Sequence, residues 1–468
     1  MADKFDLVVI GSGNAGYHPA IRASQLGMSV ALIEKESYLG GTCLNWGCIP
    51  TKALLQSASM LSNLKQHGEQ FGIMADGVEF DYSKANEHKG QVVGQLQKGV
   101  QGLMKKNKVQ VFTGVGSFVE PKKIKVEGED GEQELEAENV LISTGSGVKS
   151  LPGMEFDGEK VISSDDVISA ESYPSSVIIL GSGAVGVEFA SMYNDFGTDV
   201  TIVEMLDRIV PLEDPEISKT LQKEFEDRDI RILTSTKADP ESLEKTDDGV
   251  KINAETEDGE ETLEAEAILV AVGRKTVTED LNLDGIGLEL NDDGTIPADE
   301  YGQTSVDGVY AAGDVIGGYW LAHAASHEGI IAVEHMAGED PLPMDQTLVP
   351  RVTFCRPEVA SFGLTKAEAE EEGYEAKEAS FPFQAIGKAL IEGEPNGFVK
   401  IVADEETNLL LGMHAIGPHV TDLIAEGVFA KLVEGTPQEI GMAIHAHPSL
   451  SEVIGEAAMA VDGNAIHV

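Results

Sequence analysis

The chain has 468 residues, 42% hydrophobic and with 51 glycines, enough for several globular domains with large cores. Its 81 acids against 33 bases leave a formal charge of −48, which repels nucleic acid, while three cysteines are too few for a secreted disulfide scaffold. No apolar run approaches a membrane span and Met1 to Asp6 carries no signal-like core, so a cytoplasmic protein without membrane contact is expected.

The acids cluster at 127–138, 247–266 and 368–378. They read as a solvated surface suited to high salt, where screening removes self-repulsion, with a basic docking partner as the alternative.

Asp6 to Ile10 is a short β-branched run, a buried strand. Gly11-Ser12-Gly13-Asn14-Ala15-Gly16 follows it and opens a helical pattern, and a second strand, Val30 to Ile33, ends in Glu34. This is a dinucleotide fingerprint: Gly11, Gly13 and Gly16 allow a tight turn against a pyrophosphate, the helix N-terminus faces its charge, and Glu34 takes the ribose hydroxyls. Pro19 falls early in that helix and should bend its first turns.

Next comes Gly40-Gly41-Thr42-Cys43-Leu44-Asn45-Trp46-Gly47-Cys48-Ile49-Pro50, with two of the three cysteines. One turn can bring their sulfurs together, yet so short a loop would add little as a structural disulfide. A redox-active pair is favoured; metal or bystander cysteines are the alternatives, and no second cysteine pair completes a zinc site. A helix predicted from Thr51 would favour a thiolate nearby. Gln91 to Lys106 reads as a helix and Lys108 to Phe112 as a strand leading to Gly114-Val115-Gly116.

The opening unit recurs. Val177 to Leu180 leads into Gly181-Ser182-Gly183-Ala184-Val185-Gly186, and Val200 to Val203 ends in Glu204. Gly181 and Glu204 each stand 170 residues after Gly11 and Glu34, so two dinucleotides are expected. Glu204 accepts ribose hydroxyls but repels a 2′-phosphate, which selects NAD over NADP in the second fold. His323 and His327 have zinc-compatible i, i+4 spacing but no third ligand; packing is preferred and no metal is expected. After Pro341-Leu342-Pro343 come short strands (349–354, 397–402) and helices (421–432, 436–442); Cys355 should be inert. The last motif is Ile444-His445-Ala446-His447-Pro448-Ser449-Leu450-Ser451-Glu452. Pro448 suits the first position of a helix, leaving His447 at its mouth with Glu452 able to reach back to the imidazole.

The cysteine segment resembles that of the flavoprotein disulfide reductases, within them the dihydrolipoamide-oxidising branch, and the likeness runs through every motif in order. It implies an α/β fold with two Rossmann-like dinucleotide-binding domains and a C-terminal α+β dimerisation domain: residues 1–147 and 273–346 for FAD, 148–272 for NAD, 347–468 for the dimer interface. It implies Cys43 as interchange thiol, Cys48 as the thiol facing the flavin, and His447 with Glu452 as the acid–base pair. Gly116 would contact the FAD adenine. Thr144, Gly145 and Ser146 would return the chain to the FAD site, with Gly273 as the matching exit from the NAD domain. Asp314, in Gly313-Asp314, would bind the flavin ribityl chain. Ala322 would start a helix facing the flavin pyrimidine edge. Lys52 and Glu188 would form an ion pair beside the flavin. The implied activity is oxidation of dihydrolipoamide, free or on a separate lipoylated acyltransferase or carrier protein, by a homodimer. Trp46 and Lys275 to Thr278 depart from the pattern. Glutathione-type reductases would want arginines where Glu204 stands, mercuric-ion reductases a C-terminal cysteine pair, and a non-enzymatic flavoprotein subunit no intact cysteine and histidine set.

Overall fold

The computed structural model describes residues 3–74, 77–129, 131–257 and 259–467. The chain divides into two bodies: one of residues 1–53, 84–149 and 274–344, the other of 54–83, 150–273 and 345–468.

In the first body, β-branched residues build a parallel sheet in the order Gln110–Thr113, Val30–Glu34, Asp3–Ile10, Gly131–Ile142, Val309–Ala311. The first half of Gly131–Ile142 runs on into an antiparallel meander with Lys123–Gly128 and Val115–Glu120. The sheet is buried on both sides, as parallel sheets are, so its strands are nearly continuous apolar runs. One face is covered by the helices Asn14–Gln25 and Ala322–Met336, which pack on each other. Pro19 sits inside the first of them without ending it. A methyl group on Gly329 of the second helix would stand 2.8 Å from the Pro19 ring and 3.0 Å from the Ala15 carbonyl. The proline is accommodated because its neighbour has no side chain.

The second body repeats the plan. Its parallel sheet has the order Arg231–Leu233, Asp199–Val203, Ser176–Leu180, Ala267–Val270, Val161–Ile162, beside a three-stranded antiparallel sheet, Lys237–Lys245, Val250–Thr256 and Gly259–Ala265. Residues 351–417 form a five-stranded antiparallel sheet in the order Arg351–Thr353, Glu358–Gly363, Leu410–Gly417, Phe398–Asp404, Ala376–Pro382. Helices Val420–Leu432, Pro437–Met442 and Glu452–Val461 share a core with it.

Several boundaries differ from expectation. The helix predicted from Thr51 begins at Cys48 and runs to Ser62, and the one predicted from Gln91 begins at Tyr82. Helix Glu452–Val461 starts four residues after Pro448, so Pro448 is not its first residue. Lys275 to Thr278 begins as a strand: Arg274–Thr276 pairs antiparallel with Ser146–Val148. Trp46 packs edge-on against Tyr38, ring centres 5.8 Å apart. His327 Nδ1 lies 2.9 Å from the His323 carbonyl oxygen. Cys355 is buried, its thiol donates to the Pro357 carbonyl at 3.1 Å, and burial pushes its pKa up.

The buried Lys400 of the second body is paired. Lys400 donates to both Asp214 oxygens, at 3.0 and 3.1 Å, and lies 2.9 Å from Glu216. Asp214 also caps helix Pro215–Glu226 through the Glu216 N–H. Lys400→Met should lower the thermal midpoint by an amount corresponding to about 3 kcal/mol, because it leaves Asp214 buried and uncompensated. The same change at exposed Lys251, paired with Glu264, should leave the midpoint in place. Equal shifts in the two variants would refute the distinction.

Candidate active site

The two fingerprints share one geometry. Gly11 has φ +104°, and a side chain there would stand 2.4 Å from the Ser143 carbonyl; Gly181 has φ +96° and meets the Ala271 carbonyl at 2.5 Å. A methyl on Gly16 or Gly186 would stand 2.0 or 2.1 Å from the carbonyl of the first glycine of its own turn. Only glycine allows helix and strand to meet so closely. The acids are held identically. Glu34 Oε2 accepts from Ser12 N–H (3.0 Å) and Ser12 Oγ–H (2.6 Å), and Oε1 from Glu36 N–H (3.0 Å). Glu204 Oε2 accepts from Ser182 N–H (2.8 Å) and Oγ–H (2.6 Å), and Oε1 from Leu206 N–H (2.9 Å).

Helices Asn14–Gln25 and Ala184–Phe196 begin at Gly13 and Gly183, with no side chain capping their first N–H groups. Helices after Ser163, Asp214 and Thr365 are capped by those residues. Helix N-termini left uncapped above glycine turns fit a dinucleotide phosphate in both folds. Helix Ala322–Met336, with Leu321 before it, also has no side-chain cap.

The cysteine loop is tied to the first fingerprint. Gly40 N–H lies 3.1 Å from both the Ser12 carbonyl and Ser12 Oγ, and a side chain on Gly41 would stand 2.5 Å from the Gly13 Cα. Asn45 Nδ2 donates to the carbonyls of Leu39 (3.2 Å) and Gly41 (2.8 Å), and Gln97 donates to Asn45 Oδ1 at 2.7 Å. Cys43 sits in the short helix Gly41–Asn45, and Cys48 is the first residue of the helix to Ser62. The structure holds both as thiols. The hydrogen bond from Cys43 to Cys48, then burial, pushes the Cys43 pKa up; the Lys52 charge opposes this. Cys48 opens the helix to Ser62, a position whose N-terminus favours a thiolate.

Around the same fold, Thr144 Oγ1 donates to the Val277 carbonyl at 2.6 Å, and Val277 N–H to the Gly145 carbonyl at 3.0 Å. Ser146 Oγ donates to Asp314. Gly116 lies in strand Val115–Glu120 against Ile10 and Ile33, where a side chain would come within 3.3 Å of both, so packing also requires its glycine. In the second body, Glu188 is buried and accepts from Phe354 N–H at 2.8 Å. Gly273 takes φ +112° at the end of the second fold. Exposed His447 has Nδ1 2.8 Å from Glu452 Oε1, while Glu452 Oε2 accepts from Ser449 N–H at 2.9 Å. The Ser449 N–H first, and the imidazole, hold the Glu452 carboxyl below the usual range. His445, by contrast, pairs with Glu426 at 2.7 Å.

Residues 5–329 match the family described as Pyridine nucleotide-disulphide oxidoreductase, and 349–458 match its dimerisation domain. The chain belongs to this family. Among curated relatives, Dihydrolipoyl dehydrogenase of Bacillus subtilis is 48% identical over the whole of both chains, and that of Halobacterium salinarum is 42% identical over 99% of this chain and 97% of its own. The crystal structure of LpdA from Mycobacterium tuberculosis superposes with a TM-score of 0.91 at 27% identity, covering 98% of this chain and all of that one. Membership makes the protein an FAD- and NAD-dependent oxidoreductase. No helix among the described residues is long and apolar enough to cross a membrane.

Sequence reasoning passed over Ser12 and Ser182, although a serine between the first two glycines of both fingerprints was a visible signal. Gln97 and Arg274 had no such signal, since their partners lie 52 and 128 positions away. The locked Glu204 makes a binding prediction. NADPH should bind with a Kd at least about a hundredfold above that of NADH, since a 2′-phosphate would meet a fixed carboxylate. Equal affinities by fluorescence titration would remove Glu204 from that role.

Proposed function

We propose that the protein oxidises dihydrolipoyl groups to the cyclic disulfide, on free dihydrolipoamide or on a separate lipoylated acyltransferase or carrier protein. It does so with NAD⁺ as final acceptor, as a cytoplasmic homodimer. The observation that carries this reading is the Cys43–Cys48 pair on a loop bonded to the first fingerprint, in a chain that full-length dihydrolipoyl dehydrogenases resemble. The spread of acids fits work in concentrated salt.

The cycle starts from the Cys43–Cys48 disulfide. His447, with Nδ1 held by Glu452, takes a proton from one substrate thiol at Nε2. The resulting thiolate attacks Cys43 Sγ, forms a mixed disulfide and releases Cys48 as thiolate. The second substrate thiol loses its proton to solvent and attacks the substrate sulfur in that mixed disulfide, which closes the product ring and releases Cys43. The leaving Cys43 sulfur recovers a proton from His447, and two electrons now rest on the cysteine pair. FAD, when bound, supplies the route by which this electron pair reaches NAD⁺ as hydride. Glu34 and Glu204 orient the two nucleotides, and the Cys48 helix stabilises the thiolate.

His447 serves the cysteine pair of the other subunit. Supporting this, it lies in the dimerisation domain near Met442 and Ile444, large apolar side chains exposed in the single chain. His447→Gln homodimers should lose about 10² to 10⁴ in rate, and Cys43→Ser homodimers, which cannot form the disulfide, should be inactive. Mixed after dissociation and reassociation, they should recover up to about a quarter of wild-type activity, because random pairing gives half the dimers one whole site. Mixed dimers that form but stay inactive would place His447 within its own chain's chemistry or outside the reaction.

A further inference from the structure

Asp314 is held by side chains that no motif names. Glu328 Oε2, on helix Ala322–Met336, accepts from the Gly313 N–H at 2.9 Å and so fixes the backbone just before the aspartate. The Asp314 carboxylate accepts from Ser146 Oγ. Ser146 is itself gripped twice by one guanidinium: Arg274 Nε donates to Ser146 Oγ at 2.7 Å, and Arg274 Nη2 to the Ser146 carbonyl at 2.7 Å. The paired strands Arg274–Thr276 and Ser146–Val148 bring the two residues together from 128 positions apart.

We propose that Arg274 is a positioning residue for FAD, acting on Asp314 through Ser146; the inference rests on the FAD reading of the first fold. The direction of one proton decides how the chain of bonds acts. A guanidinium only donates, and a hydroxyl has a single hydrogen. With Arg274 Nε–H aimed at Ser146 Oγ, the hydroxyl hydrogen is left for Asp314. That occupies Asp314 Oδ2 and fixes the carboxylate plane, and Oδ1 is left to accept from a ribityl hydroxyl. The second bond, to the Ser146 carbonyl, stops the guanidinium from turning away. A lysine offers a point donor rather than a fork and cannot hold both acceptors in one plane.

The test compares purified wild-type holoenzyme with Arg274→Met, Arg274→Lys, Ser146→Ala and the double variant Arg274→Met/Ser146→Ala. The rate of FAD release on dilution is followed by the rise in flavin fluorescence. Arg274→Met and Ser146→Ala should each speed release by about tenfold or more, the scale of a hydrogen bond to a charged group. The double variant should release FAD no faster than the worse single one, because both changes break the same chain of bonds. Arg274→Lys should recover part of the loss. NADH affinity should stay at the wild-type value in every variant. Unchanged FAD release in Arg274→Met, fully additive losses in the double variant, or a fall in NADH affinity that tracks FAD release would each overturn the proposal. The last would make Arg274 a strut of the strand pair. A wild-type protein that purified without FAD and failed to take it up would overturn the FAD assignment itself, and the proposal with it.

Discussion

One buried hydroxyl organises the first fold. Ser12 is fully buried, donates to Glu34 and lies within bonding distance of the Gly40 N–H. Its own N–H also goes to Glu34, and its carbonyl accepts from Gly40. Every polar group of this residue is thus committed inside the protein, where an unmatched one would cost about 1–3 kcal/mol. The commitment links three things the chemistry needs in register: the phosphate turn, the ribose-facing carboxylate, and the loop that presents Cys43. With Gly41 packed on Gly13, the redox loop cannot shift without opening the nucleotide turn.

What was legible in the sequence was what is local. Glycines at fixed spacing, an acid at the end of the next strand, two cysteines five positions apart and a histidine five before a glutamate all act within one turn of chain or one strand–helix unit. The pairing of His447 with Glu452 holds even though Pro448 does not start the helix. Glu452 stands at the first position of that helix and reaches back, one oxygen to Ser449 N–H and one to the imidazole. The helix predicted from Thr51 starts earlier, at Cys48, and takes in Pro50. At the third position its missing N–H falls among donors that have no partner inside the helix.

What was not legible depends on elements meeting across the fold. Pro19 looked like a fault because its cost depends on the neighbouring helix, and the neighbour turns out to be Gly329. Arg274 stands just before the departure at Lys275 to Thr278 and carried no role in the sequence, because strand Ser146–Val148, its partner, has no pattern of its own. Such contacts leave no periodicity, since either side alone is an ordinary arginine, serine or glycine.

The duplication reaches beyond the fingerprints and shows where the redox chemistry was added. Glu36 N–H bonds to Glu34 as Leu206 N–H bonds to Glu204, and Gly40 N–H bonds to the Ser12 carbonyl as Val210 N–H bonds to that of Ser182, at 3.1 and 3.0 Å. Residues 34–40 and 204–210 are therefore one closed turn, used twice. Both end in a left-handed residue: Gly40 has φ +109° and Val210 has φ +40°. A β-branched residue pays for that conformation where glycine does not. Beyond the turn the copies part. After Val210 the chain reaches Asp214, which caps a helix and neutralises Lys400, a structural ending. After Gly40 it enters the Gly41–Asn45 helix with Cys43 and then the helix opened by Cys48. The same stem thus carries a capped, inert helix in one copy and an uncapped pair of thiols in the other. The stem is closed by the same hydrogen bonds in both copies although the segments beyond it differ, and in this way one nucleotide fold carries redox chemistry while the other only binds.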